Sequence, residues 1–198
     1  MSNLYDRQEK LKLNIDQTVT VVGCGGIGFW VIKFLAMSGI EKIYAFDNDV
    51  IEEHNLNRLD IPYKAIGMNK ADAVKLVVND LRPDCTLYAL PFIFNDSQRP
   101  GTDWLIDCTD KLSSQIENQR IANEQGMKYM KAGYDGEEFS IHNSVAEWGE
   151  AEDGYITVPS WVVPATIIAS MAVAKVLKYP EAEMVGNIKG VFNSERLK

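Results

Sequence analysis

The apolar positions of the chain alternate between two periods, one of strands and one of helices. "TVTVV" at Thr18–Val22 is a β-branched run closed by glycine, which predicts a buried strand. Residues 27–37 are apolar at helical spacing, and Ser38-Gly39 ends that helix. "KIYAF" at 42–46 reads as a second strand running into the acidic "DND", and 69–81 as an amphipathic helix stopped by Arg82-Pro83. "TLYALPF" predicts a third strand, "WLIDCTD" at 104–110 a fourth, and 113–125 a helix. "KYMKAGY" and "EFSIHNSVAEW" predict two more strands, the second as an arm of an antiparallel extension. An acidic loop at 149–160 precedes an apolar helix at 164–178, and the tail to Lys198 reads as an edge strand or a loose end. Residues 2–13 look helical and polar.

Strands alternating with helices predict an α/β fold. It is Rossmann-like, a mostly parallel sheet with helices on both faces and the antiparallel extension at its C-terminal side. One domain over 1–198 is expected: an arm at 1–15, a nucleotide-binding core at 16–148, and a loop, helix and tail at 149–198.

Composition changes this little. With 46% hydrophobic and 24% charged residues the chain sits near the globular average. Its net charge of −8 argues against nucleic acid or an anionic membrane surface as partner. The run "WVVPATIIASMAVAKVL" holds Pro164 and Lys175 and reads as a buried helix, not a membrane span. The charged start "MSNLYDRQEKLKLN" lacks the apolar centre of a signal peptide, so a cytoplasmic location is expected. Cys24, Cys85 and Cys108 form no C-x-x-C pair, so no zinc is expected and reduced thiols are the simplest reading. Cys24 and Cys108 read as buried fillers, and a reactive role for Cys85 is left open.

The chemistry begins at "GCGGIG". Gly23 permits a sharp turn, Gly25 with Gly26 lets backbone N–H groups approach phosphate, and Gly28 lets the helix lie close to the strand. Asp47, with Asp49 beside it, ends the second strand where a carboxylate can accept ribose hydroxyls. Asn55, Arg58 and Lys70 follow. Two cations there could neutralise a triphosphate, which a dinucleotide held by the glycine loop does not need. Taken singly, Arg58 could instead pair with Asp60, and Lys70 could simply open a helix.

These segments together resemble the ThiF/MoeB/ubiquitin-activating superfamily, the E1-like adenylyltransferases. The motifs that carry the likeness are "LYDRQ", "GCGGIG", "DNDVIEEHNLNR", "GMNK" and "DCTD", in the family's order. The resemblance implies adenylation of a substrate carboxylate by ATP with Mg²⁺, releasing pyrophosphate. Asp47 would hold ribose. Asn55, Arg58 and Lys70 would meet the triphosphate, and Asp110 would bind Mg²⁺. Arg7 would reach across a homodimer into the partner's site. The substrate would be a small biosynthetic acid, as in cofactor biosynthesis, or the C-terminus of a peptide or carrier protein. No cysteine follows Cys108, so no thioester of the family's usual kind is expected. Lys111 and Leu59 stand where the family has Asn and Gln. Tyr134 and Trp161 are candidates to line the acid's pocket. A nicotinamide-dependent oxidoreductase and an ATP-binding module without chemistry are the rival readings.

Overall fold

Each β-branched run becomes a strand, in a computed structural model that describes residues 4–145 and 159–193. The strands are β1 (Thr18–Val22), β2 (Lys42–Phe46), β3 (Thr86–Leu90), β4 (Trp104–Asp107), β5 (Lys128–Asp135), β6 (Glu138–His142) and β7 (Met184–Asn187). The helices are α1 (Gly26–Met37), α2 (Lys70–Leu81), α3 (Leu112–Glu124), α4 (Val162–Leu177) and the short α5 (Ile188–Asn193). One seven-stranded sheet runs β3-β2-β1-β4-β5-β6-β7, parallel through β5 and antiparallel beyond. Helices α1, α2 and α4 pack on one face, and α3 lies on the other against β4 and β5.

The packing follows from the periodicity. Helix α1 buries Ile27, Phe29, Val31, Ile32, Leu35 and Ala36 between the sheet and α4. Each large side chain among them contributes about 1.5–3 kcal/mol. Asn69 caps α2, its Oδ1 accepting from the N–H groups of Ala71 and Asp72, a contact worth roughly 1 kcal/mol. At the other end of α1, Arg82 donates to the carbonyls of Ala36 (2.7 Å) and Met37 (3.1 Å) and satisfies groups the helix leaves open.

Several boundaries differ from the sequence reading. The arm is a run of turns and a 3₁₀ turn at Glu9–Leu11 rather than a helix over 2–13. Leu4 and Leu11 stay exposed while Tyr5 and Leu13 pack inward, a spacing that does not pin one helical face, and short isolated helices are marginal. Strand β3 stops at Leu90 because Pro91 has no N–H for the ladder. Strand β4 stops at Asp107, not at Asp110, because Asp107 turns back to bond Thr109. Strand β6 covers Glu138–His142, and the rest of its expected span from 146 on lies outside the described residues, as does most of the acidic loop. Helix α4 starts at Val162, with Pro164 in its first turn where no N–H is required. The tail supplies edge strand β7 and also α5, which the sequence reading missed.

Candidate functional site

Register places the chemistry. Phe46, Val22, Asp107, Lys131 and His142 stand side by side across five strands. Asp47, Gly23 and the Cys108–Asp110 turn are the next residues beyond this row, at the carboxyl ends of β2, β1 and β4. Strand order reverses between β1 and β4, the crevice where open α/β sheets bind ligands.

The glycine loop is fixed by close contacts. Gly23 has φ +89°, and a Cβ there would lie 3.0 Å from the Cys108 carbonyl oxygen. Gly28 carries α1 so close to the loop that a Cβ would sit 1.8 Å from the Gly23 oxygen. Gly25 differs, for a Cβ on it would meet nothing within 4 Å. It is the N-cap of α1 and has no side chain to cap the helix, so the first N–H groups face outward with the positive end of the dipole. Over Gly26 stand Tyr134 and Arg58: a Cβ would be 2.7 Å from the tyrosine oxygen and 3.1 Å from Arg58 Cδ.

Arg58 does not pair with Asp60, which Lys33 takes instead. Its Nη1 donates to the His54 carbonyl and to Asn57 Oδ1, both at 2.9 Å, and its own carbonyl accepts from Trp30 Nε1. Asn55 is buried, and its Oδ1 accepts from the Glu52 N–H at 3.0 Å, so its first task is to shape this turn. Lys70 opens α2 and pairs with Asp49 at 2.9 Å. Asp47 accepts from the Cys24 N–H (2.7 Å) and the Asp49 N–H (2.8 Å). Burial pushes its carboxyl above the ordinary range, with those N–H groups and Lys70 opposing. The raised folded value favours the fold at low pH, and this contribution is lost as pH rises through it. Ionised Asp47 is thus a cost to the fold, one that hydroxyl donors from a ligand would offset.

Asp110 is exposed on the turn after β4. Behind it Asp107 is fully buried, accepting from Thr109 N and Oγ1, Asn118 Nδ2 and Tyr129 Oη. Burial first, then the Asp107 charge, pushes the Tyr129 phenol up, which keeps it a donor. Trp161 is partly exposed and donates to the Gly136 carbonyl, and Asn57 donates to that of Ser160, so the start of α4 is tied to the motif turn. Arg7 is exposed at the far end of the molecule. Its neighbours fix the arm there: Gln8 donates to the Ser38 carbonyl, and the Tyr5 ring lies under the Arg82 guanidinium. That is the C-terminal end of α1, roughly 18 Å from the glycine loop at 1.5 Å per residue.

Lys131, on β5 beside Asp107, opens the "KAGYDGEEFS" segment that also holds Tyr134, but none of the five family motifs contains it and the sequence assigns it no role of its own. Its only advance sign was a charge at an otherwise apolar strand centre.

The thiols are ill-suited to nucleophilic work. Cys24 and Cys85 are buried, and burial pushes Cys85 up to about 11 and Cys108 up to about 12. Native protein at about pH 8 should leave all three unmodified by a disulfide reagent that titrates them in denaturant. Rapid native labelling of Cys85, read by mass spectrometry, would restore it as a candidate nucleophile.

Among the described residues no helix is long and apolar enough to cross a membrane, and no three His, Cys, Asp or Glu side chains gather to hold a metal.

The model of the ThiF family matches residues 3–151. The ubiquitin-like modifier-activating enzyme 5 of Branchiostoma floridae is 27% identical over 88% of this chain and 45% of its own length. The tRNA threonylcarbamoyladenosine dehydratase of Bacillus subtilis is 30% identical over 55% of this chain and 45% of its own. The chain thus spans less than half the length of these curated relatives. Among solved structures, E. coli MccB crystallised with AMPCPP and MccA superposes with a TM-score of 0.76, at 22% identity over 94% of this chain and 72% of MccB, and shares the fold.

Proposed function

The chain belongs to the ThiF family, and we propose from that premise that it activates a carboxylate with ATP, forming an acyl-adenylate and pyrophosphate. The observation that carries this is Arg58 set over Gly26 at the open N-terminus of α1. A cation held beyond the glycine loop suits a triphosphate with charge to lose, and a dinucleotide has no use for it.

The roles follow from position. The N–H groups around Gly25 and Gly26 take phosphate oxygens, Asp47 takes the ribose, and Arg58 and Lys70 take the triphosphate. Lys70 first exchanges its Asp49 contact for phosphate, and Asn55 offers its amide nitrogen. The acid's oxygen attacks the α-phosphorus while the P–O bond to pyrophosphate breaks, its charge received by the cations. The chain supplies alignment and charge, and no proton transfer is required.

The fit of a metal is set by the donors present. Asp110 is exposed and forms no ion pair among the described residues. One carboxylate with phosphate and water is the donor set Mg²⁺ prefers. Asp110 would hold Mg²⁺ there, and the ion would supply charge neutralisation to the phosphates. The buried thiols support release of the acyl-adenylate without a thioester on this chain. The substrate is a small biosynthetic acid or the C-terminus of a peptide or carrier protein, met over Tyr134 and Trp161 in the cytoplasm.

Arg7 cannot reach its own site across α1, which supports a homodimer with Arg7 acting in trans. The test is ATP–pyrophosphate exchange screened over candidate acids. For the acid that supports exchange, R7A and D110A are expected to be inactive singly. Mixed, they should recover about a quarter of wild-type activity, since one site in a heterodimer regains both groups. Mixing that recovers nothing would remove the shared site, and exchange with no acid would remove the reaction itself.

A further inference from the structure

We propose that Lys131 is a positioning residue for the reaction above, holding the turn that presents Asp110 to the nucleotide's metal. The inference rests on the adenylation reading and adds a residue that no motif contains.

Asp110 is exposed, so its placement depends on its backbone. That backbone is anchored one residue earlier, at Thr109. The Thr109 N–H and hydroxyl both bond Asp107 Oδ1. The Thr109 carbonyl then receives Gln115 Nε2 from α3 at 3.0 Å and Lys131 Nζ from β5 at 2.9 Å. Lys131 also donates to the Ala132 carbonyl at 2.8 Å and forms no ion pair among the described residues. Its ammonium is thus spent on two backbone carbonyls and not on a carboxylate.

Its geometry explains that use. An ammonium on a carbonyl makes a charge-assisted bond, stronger than the neutral one from Gln115. The turn it holds also packs on Gly23, whose missing Cβ would strike the Cys108 carbonyl. Turn, lysine and glycine loop are therefore in direct contact with one another. If Lys131 is removed, the turn keeps Gln115 and Asp107 but loses the one charge-assisted bond to the Thr109 carbonyl, and the backbone that carries Asp110 loosens. Lys131 does not itself touch phosphate in this account.

The experiment measures AMPCPP affinity by calorimetry with and without Mg²⁺ for wild type, K131M, K131R and D110N. Hydrogen exchange at residues 108–111 is followed in the same proteins. K131M should lose about tenfold of the affinity that Mg²⁺ adds, as residues behind a metal ligand commonly cost 10–100-fold. Its Mg²⁺-free affinity should stay within about twofold, its turn amides should exchange faster, and K131R should restore both readouts. Equal losses with and without Mg²⁺ would make Lys131 a direct phosphate ligand and overturn the proposal. An unchanged Mg²⁺ increment in K131M beside a reduced one in D110N overturns it as well. If D110N leaves the increment intact, the metal reading fails and this inference falls with it.

Discussion

An R58A variant is expected to lose ATP–pyrophosphate exchange by at least about 100-fold, the usual effect of removing one fixed donor from developing charge. The arithmetic of the guanidinium supports the size. Arginine carries five N–H hydrogens. Those on Nη1 go to the His54 carbonyl and Asn57 Oδ1. The hydrogens on Nε and Nη2 remain for an anion, and Nε stands 3.3 Å from where a Gly26 Cβ would be. R58K keeps the charge but not the fork and should recover only part of the rate. The fold should survive both changes. The turn keeps its Trp30 bond to the residue 58 carbonyl, and each lost side-chain hydrogen bond costs about 1 kcal/mol. For a domain of this size that lowers Tm by a few degrees, about 2–4 °C per kcal/mol. A rate within threefold of wild type, with Tm lowered by those few degrees, would show that Arg58 serves the turn and not the reaction.

The reason Arg58 could be read from sequence while Lys131 could not lies in how each reaches the site. Arg58 belongs to a contiguous motif, and its turn is built locally by the Asn55 and Glu52 contact. Strands β1 and β2 and helices α1 and α2 announce themselves in the same local way, through β-branched runs, helical spacing and the Asn69 cap. Lys131 reaches the site only because β5 pairs with β4 in the register that sets it beside Asp107. Register is settled by the whole sheet, and one residue of slip would turn Lys131 to the other face. The end of β4 was misjudged for a related reason. "WLIDCTD" is apolar enough to continue, yet the Asp107 side chain competes for the backbone of Thr109 and ends the strand early. The polar arm was read as helix from propensity alone. Tertiary contacts decided it, with Gln8 and Tyr5 fastened to the end of α1.

The glycine loop offers the largest effects on the molecule, and its glycines should fail in different ways. In G28A a methyl group would stand 1.8 Å from the Gly23 carbonyl, which is backbone and cannot swing aside. Helix α1 would have to lift from the sheet and from α4, at a cost of about 3 kcal/mol or more. That is a large part of a typical 5–15 kcal/mol total. G28A should therefore melt at least about 6 °C lower, or fail to fold, whether or not nucleotide is present. G25A should do the reverse. Its backbone is extended, at φ −76° and ψ −153°, and the new methyl meets nothing within 4 Å. Stability should change by no more than about 1 kcal/mol. The methyl would point into the space through which phosphate must approach the first N–H groups of α1, so AMPCPP affinity should fall at least about tenfold. G26A belongs between them. Its methyl presses on the Tyr134 hydroxyl and on Arg58, the ends of side chains that can give way. The fold should hold while Arg58 is displaced, so exchange should fall more steeply than affinity. G25A with wild-type affinity would mean that the loop turns the chain without holding phosphate, and the adenylation proposal would lose its nucleotide.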